Sequence, residues 1–210
     1  MVIILRVAFI SGGKDSYYAV YRFGAVDLGL MLIYDFPRPS PHILNLGKSI
    51  ETMLLCRIPI IVAKLDKGRE FTETIEILKK FSTNTIVAGD VYIEEHLKYM
   101  EHVAESIGAK LYEPLWGMDA IELLYKEIES GIRTLIIGGD KRISNWVGEV
   151  LNLENIDNFV RYVKNIGIDP LGENGEYHTL VLQGPLHIAA LQYRVIGFEE
   201  YEGYGILRVV

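Results

Sequence analysis

The 210-residue sequence contains a single cysteine, Cys56, and this scarcity removes several classes of protein. No disulfide can form within the chain, and no metal or redox motif that needs a cysteine pair can be built. Basic residues are also in the minority, with 21 Lys and Arg against 28 Asp and Glu and a net charge of −7. Because binding to the phosphate backbone of a nucleic acid needs clustered Lys and Arg, we expect no stable nucleic-acid partner.

Long hydrophobic runs are missing as well. The N-terminal stretch, residues 2–10, is apolar but too short to span a bilayer, and no signal-peptide cleavage site follows it. We therefore expect a cytoplasmic protein that does not bind a membrane. Half of the residues are apolar, which is ample for a buried core. The sequence allows a homodimer without deciding the oligomeric state.

The first half of the sequence alternates between two apolar patterns. Near-continuous apolar runs are typical of strands buried on both faces of a parallel sheet, and they occupy residues 2–10, 28–34, 58–63 and 85–88. Between them, apolar stripes at helical spacing predict helices over residues 17–23, 71–81 and 97–107. This alternation predicts an α/β fold with a doubly wound, mainly parallel sheet.

The pattern changes after residues 114–117. Helices are predicted over residues 118–130, around Val147 and over 156–163, with strands over 134–137, 179–182, 189–196 and 205–210. We therefore predict two domains, residues 1–115 and a smaller α+β domain of residues 116–210. The functional site is expected between them.

The motif SGGKDS follows the first predicted strand and precedes a predicted helix. Paired glycines let the backbone approach a ligand closely, and the N-terminus of the helix offers unpaired N–H groups and a positive dipole end. These features favour phosphate binding, with extra hydroxyl donors and one cation. The alternative is a Gly-Gly turn capped by serine, with the charged residues in solvent. The predicted phosphate loop comprises Ser11, Gly12, Gly13, Lys14, Asp15 and Ser16.

Two further positions lie at the same predicted edge of the sheet. Gly89 and Asp90 close the fourth strand, where Gly89 would let a ribose or base approach and Asp90 would hold a hydroxyl or a phosphate-bound Mg²⁺. An ordinary strand-end turn is the alternative. Tyr34, at the end of the second strand, is also assigned to the nucleotide side. His96 lies off the apolar stripe of its helix, and we interpret it as solvated rather than facing the cleft.

A dense polar loop precedes the strand at residues 179–182. Within eight residues it combines two carboxylates, an amide, an imidazole and a hydroxyl, which are types that bind ammonium or accept a proton. A polar surface turn is the alternative. The candidate residues are Glu173, Asn174, Gly175, Glu176, Tyr177, His178 and Thr179.

These motifs occur together in an order that resembles a known family. SGGKDS is similar to the pyrophosphate-binding loop (PP-loop) of the adenine nucleotide alpha-hydrolase superfamily. Together with VAGDVYIEEHLKYMEHVAESIGAKLYEPLWG and IDPLGENGEYHTLVLQGPL, it resembles the diphthine–ammonia ligase family, over about residues 5–190. The resemblance also assigns His42 to the substrate side.

The resemblance implies an adenine nucleotide alpha-hydrolase-like fold and an ATP-dependent carbon–nitrogen ligase. ATP, with Mg²⁺, would adenylate the carboxylate of diphthine on translation elongation factor 2, and ammonia would then displace AMP to give diphthamide. Lys14 and Asp15 would act at the phosphates, and Glu173, Glu176 or His178 would handle ammonia. We expect Lys14→Ala and Asp15→Ala to lower pyrophosphate release without unfolding the chain.

The sequence departs from the family pattern at a few positions. Leu171 stands where relatives often have cysteine, and Asn174 and His178 replace a glycine and a glutamate. The chain therefore resembles the archaeal and bacterial branch of the family, and in bacteria, which lack diphthamide, the substrate would have to differ.

Two other functions remain open. Another PP-loop ATP pyrophosphatase, such as a tRNA-modifying enzyme, is one alternative, although sulfur transfer generally needs more cysteines than Cys56 alone. A non-catalytic ATP- or AMP-binding protein is the other, and it would not explain the cluster between Glu173 and Thr179. No glutaminase segment is visible, which fits ammonia as the nitrogen source.

Overall fold

A computed structural model describes residues 4–34 and 39–210, so the first positions of the predicted strand 2–10 lie outside the described residues. The N-terminal half forms a five-stranded parallel sheet in the order β3-β2-β1-β4-β5. Its strands are β1 (Leu5–Phe9), β2 (Leu28–Ile33), β3 (Ile60–Lys64), β4 (Thr83–Val87) and β5 (Lys110–Tyr112). The strand order reverses between β1 and β4, which is where open α/β sheets bind ligands.

Helices flank the sheet and follow its strands. They are α1 (Lys14–Phe23), α2 (Pro41–Leu44), α3 (Leu46–Leu54), α4 (Glu70–Lys80) and α5 (Glu94–Ile107). The central strands are buried on both faces, since Val7, Ala8, Ile86 and Val87 are each at most 1 % exposed. The predicted doubly wound α/β layer is confirmed.

The C-terminal half is a smaller α+β unit built on an antiparallel sheet. Its elements are α6 (Ala120–Glu129), β6 (Arg133–Asp140), β7 (Val150–Leu151), α7 (Ile156–Ile166), β8 (Tyr177–Gln183), β9 (Val195–Tyr201) and β10 (Tyr204–Val209). Strand β6 pairs with β8 on one side and with β7 and β10 on the other, and β9 lies at the outer edge beside β10.

Two predicted elements of this half differ from those of the structure in type or bounds. The helix expected around Val147 is a short 3-10 helix, Lys141–Trp146, that ends before Val147. The strand expected over residues 189–196 begins only at Val195, because the preceding segment folds back and the Leu191 N–H donates to the Leu182 carbonyl instead of a ladder partner. Helices α2 and α3 and strands β5 and β7 were not predicted, since they are short or carry a weak apolar pattern.

The two halves share a hydrophobic core and several hydrogen bonds. Apolar side chains of α1, α6, α7 and β8 belong to one buried cluster, which includes Tyr17, Leu123, Phe159 and Val181. The Val181 N–H donates to the Gly12 carbonyl at 3.0 Å. These contacts place the end of β1 directly against β8. In the described ranges 4–34 and 39–210, no helix is long and apolar enough to cross a membrane.

Candidate active site

The phosphate loop turns sharply from β1 into α1. Gly12 has φ +85°, and a Cβ there would lie 3.0 Å from the Ser49 carbonyl oxygen. Only glycine therefore satisfies both the backbone conformation and the packing. The Gly13 N–H donates to Ser11 Oγ at 3.2 Å, and Ser16 Oγ donates to the Gly13 carbonyl at 3.1 Å. The serine hydroxyls thus hold the turn in shape.

The Lys14 side chain, expected to act at the phosphates, does not line the cleft. It is fully buried, with Nζ 2.5 Å from Asp15 Oδ1 and 3.4 Å from Glu127 Oε2. The Tyr177 ring lies 5.9 Å from the same ammonium. Burial lowers the pKa of Lys14, but Asp15 and Glu127 outweigh it and hold the pKa well above its ordinary value. The nearby carboxylates draw the charge inward, and Asp15 itself lines the cleft.

Gly89 and Asp90 lie beside the phosphate loop, as the topology predicts. A Cβ at Gly89 would lie 3.0 Å from the Asp15 carbonyl oxygen, so close packing against α1 already requires glycine there. Asp90 Oδ1 lies 3.2 Å from His96 Nδ1, and the Asp90 N–H donates to Glu113 Oε2 at 3.2 Å. His96 is exposed to solvent, as expected, and it also lines the cleft.

The glutamate-rich loop is shaped by its own side chains. Asp169 Oδ1 accepts the N–H groups of Leu171 and Gly172, at 2.8 and 2.9 Å. Farther along, Glu176 Oε2 accepts the Asn174 N–H at 3.1 Å. Glu176 therefore folds back onto its own loop and is absent from the cleft lining, as is the exposed Asn174. Of the two glutamates left open by the sequence, only Glu173 lines the cleft.

Two other residues of the loop serve its anchorage. The Tyr177 hydroxyl donates to the Pro170 carbonyl at 2.5 Å, and Thr179 Oγ1 accepts the Lys14 N–H at 3.1 Å. Both residues are buried. Both residues are predicted on the substrate side. In the structure they also hold the glutamate loop against the phosphate loop.

The two motifs meet around one cavity of about 220 Å³. Most predicted positions contribute to it, but Gly12, Lys14, Ser16, Tyr34, Gly89, Asn174 and Glu176 do not. Tyr34 lies just after β2, at the same edge of the sheet. The lining consists of Ser11, Gly13, Asp15, His42, Asp90, His96, Leu171, Gly172, Glu173, Gly175, Tyr177, His178 and Thr179.

An acidic wall is formed by Asp15, Asp90 and Glu173, which line the cavity, and by Glu113, which accepts the Asp90 N–H beside them. Burial and then the charge of Asp15 raise the pKa of Glu173 to about 8, while burial and then Asp90 raise the pKa of Glu113 to about 8. The hydrogen bond to Asp90 raises the pKa of His96. These neighbouring carboxylates repel one another, so protons are held at this wall near neutral pH.

Two imidazoles, those of His42 and His178, also line the cavity. The rings of His42 and His178 are 5.4 Å apart in an edge-on arrangement. Burial, and then His178, lower the pKa of His42 to about 3, so His42 is neutral at physiological pH. The predicted placement of both residues at the cleft therefore agrees with the lining.

No group of three or more His, Cys, Asp or Glu within residues 4–34 and 39–210 is arranged to hold a metal ion. Asp15 and Asp90 nevertheless present carboxylates beside the phosphate loop, and carboxylate oxygens with phosphate oxygens are ligands suited to Mg²⁺. The donor set fits a metal that arrives with a nucleotide better than a resident ion.

Several residues of the site were missed by sequence reasoning. Glu113 and Glu127 are remote from both loops in sequence and reach them only through the fold, whereas Asp169 directly precedes the glutamate-rich loop. For Asp169 the signal was the Asp-Pro pair before the turn, which is typical of turn initiation. For Glu127, its position on the apolar face of α6 was the available sign.

Comparisons with known proteins agree with this geometry. Residues 5–111 match the family model of the diphthamide synthase N-terminal domain, and residues 119–208 match that of the diphthamide synthase C-terminal domain. A diphthine–ammonia ligase from Rattus norvegicus is 25 % identical over 219 residues, covering 87 % of this chain and 80 % of the relative.

One solved structure shows a more distant likeness. It is described as a predicted subunit of tRNA methyltransferase from Methanocaldococcus jannaschii, with a TM-score of 0.44 and 14 % identity. The match covers 89 % of this chain and 100 % of that one, and it is too distant to carry an argument. The family models span nearly the whole sequence and confirm the expected ATP-dependent ligase class. The chain belongs to the diphthamide synthase family.

Proposed function

We propose that this chain converts diphthine on translation elongation factor 2 to diphthamide, using ATP and ammonia. The observation that carries the proposal is the meeting of the phosphate loop and Glu173 at one cavity. A carboxylate is a poor electrophile, and transfer of AMP to its oxygen supplies a leaving group. The relative named diphthine–ammonia ligase supports the choice of substrate.

The phosphate loop would bind the triphosphate. The Gly13 N–H now donates to the Ser11 hydroxyl oxygen, and a phosphate oxygen would take over as its acceptor. The N-terminus of α1 stabilises the negative charge that develops as pyrophosphate departs. Mg²⁺ bound with the phosphates, next to Asp15 and Asp90, would neutralise further charge.

Glu173 would serve the second step. Ammonium predominates at neutral pH, so attack by ammonia requires that a proton be removed. Since burial raises the pKa of Glu173 to about 8, part of this group is ionised near neutral pH, and that carboxylate is more basic than an ordinary one, so it can bind ammonium and accept its proton. Glu176 is engaged with Asn174 and is unsuited to this role.

The direct test is incubation of the purified chain with ATP, ammonium and elongation factor 2 carrying diphthine. We expect AMP and pyrophosphate in equal amounts, and diphthamide detected by mass spectrometry of the factor. ATP binding without turnover would instead support a nucleotide sensor. AMP formation that depends on tRNA rather than on the factor would support a tRNA-modifying enzyme.

A further inference from the structure

Lys14 is tied at both ends to the C-terminal half of the chain. Its N–H donates to Thr179 Oγ1 at 3.1 Å on β8, and its Nζ lies 3.4 Å from Glu127 Oε2 on α6. The same Nζ donates to Asp15 Oδ1 at 2.5 Å. Lys14 and Glu127 are fully buried, whereas Asp15 lines the cavity. One ammonium therefore joins α6 to a carboxylate of the site.

The charges favour this arrangement over one in which Lys14 swings into the cleft. A buried carboxylate left without a cation loses its compensation, which is strongly unfavourable. Burial raises the pKa of Glu127 well above its ordinary value, although Lys14 opposes the shift. Lys14 keeps its charge and lies between the carboxyl groups of Glu127 and Asp15.

We infer that Glu127 is a positioning residue for the reaction: it holds the Lys14 ammonium behind the phosphate loop, so that Lys14 fixes Asp15 in the cleft and offsets its charge. This inference rests on the proposed function. Glu127 touches neither substrate nor reacting atoms, and it acts through Lys14. Without Lys14 held in place, the Asp15 carboxylate would repel the phosphates of ATP.

Three variants separate this role from a purely structural one. Glu127→Gln keeps an oxygen acceptor, Glu127→Leu removes it, and Lys14→Met/Glu127→Leu replaces the buried pair by apolar side chains. Replacing both members of a buried ion pair is often neutral for stability, whereas removing one is costly. Each variant is assayed for its thermal midpoint, for its dissociation constant for ATP with Mg²⁺, and for KM and kcat of AMP formation.

We expect Glu127→Gln to stay within about threefold of the unchanged chain in ATP affinity, because the acceptor is retained. Glu127→Leu should weaken ATP binding roughly tenfold or more, because the buried Lys14 ammonium loses the carboxyl group that lies 3.4 Å from it. The double variant should recover the thermal midpoint but not the ATP affinity, with KM raised more than kcat is lowered.

The inference is overturned if the double variant recovers both stability and ATP affinity, since the pair would then be only structural. It is also overturned if Glu127→Leu binds ATP as tightly as the unchanged chain. Failure of the proposed function looks different, because the unchanged chain would bind ATP yet form no AMP with the elongation factor. The ATP dissociation constants of the variants still decide the role of Glu127 in that case.

Discussion

The two loops that face each other across the cleft are built in different ways. The phosphate loop is interior, and its Gly12, Gly13 and Lys14 are buried. It is held by bonds from β8, in which Val181 and Thr179 contact the loop backbone. The glutamate loop is partly exposed and is shaped from within, by the Asp169 and Glu176 carboxylates.

Because of this difference, substitutions in the two loops should affect the free energy of unfolding and the catalytic activity to different degrees. Changes in the phosphate loop disturb packing between the two halves, so they should lower the free energy of unfolding together with activity. Changes at exposed positions of the glutamate loop meet few neighbours, so they should alter activity with a smaller loss of stability. The predictions below are ordered by the size of the effect that would break or sharpen this contrast.

The largest stability effect is expected for Lys14→Ala. Removal of the ammonium leaves Glu127 buried without its cation and opens a cavity, at a cost of about 3 kcal/mol or more. Urea denaturation measures the loss. The control is Lys126→Ala, which removes an exposed ion pair on α6, the helix that carries Glu127, and should cost less than about 1 kcal/mol. Equal losses would show that Lys14 is not buried as described.

A matched pair of glycines compares the loops directly. Gly12→Ala places a Cβ at positive φ and 3.0 Å from the Ser49 backbone, whereas Gly175→Ala has positive φ and no atom within 4 Å. We expect destabilisation of about 2–4 kcal/mol for the first and about 1 kcal/mol for the second. Thermal unfolding of both variants provides the measurement. A greater loss for Gly175→Ala would reverse the contrast.

The acidic wall predicts a smaller, pH-dependent effect. In the folded chain the pKa of Glu113 is about 8, above its ordinary value of 4.5, so the folded state binds the proton more tightly than the unfolded state does. Stability is therefore expected to fall as pH rises from about 4.5 to about 8. Glu113→Gln should reduce this fall by about 1 kcal/mol or more, measured as unfolding free energy at pH 5 and pH 8. An unchanged pH dependence would contradict a buried, protonated Glu113.

Much of the fold could be predicted from the sequence because its signals are local. The apolar runs of β1, β2 and β4 and the stripes of α4 and α5 repeat with regular periods. The strand-to-helix position of Ser11–Ser16 likewise identified the loop at the sheet edge. The proposed boundary near residue 115 stays a prediction.

Orientation within the site could not be predicted, because it depends on contacts between distant segments. Lys14 is oriented by Glu127, which is remote in sequence. Glu176 is oriented by the Asn174 N–H, which is close in sequence but reaches Glu176 only in this loop conformation. The SGGKDS motif shows that a lysine lies in the phosphate loop. It does not show that this lysine pairs with a buried carboxyl group more than a hundred residues later in the chain. The contact of the exposed His96 with Asp90 at the cleft likewise depends on the fold.

The central claim is that the two loops serve two separable steps, with Glu173 rather than Glu176 handling ammonia. A single-turnover experiment with ATP, the diphthine-bearing factor and a fixed concentration of ammonia would follow pyrophosphate and amide together. For Glu173→Gln we expect pyrophosphate release near the normal rate and amide formation slower by about 10²-fold, with both steps nearly normal in Glu176→Gln. Amide formation at the normal rate in Glu173→Gln, or a larger loss in Glu176→Gln, would contradict the account.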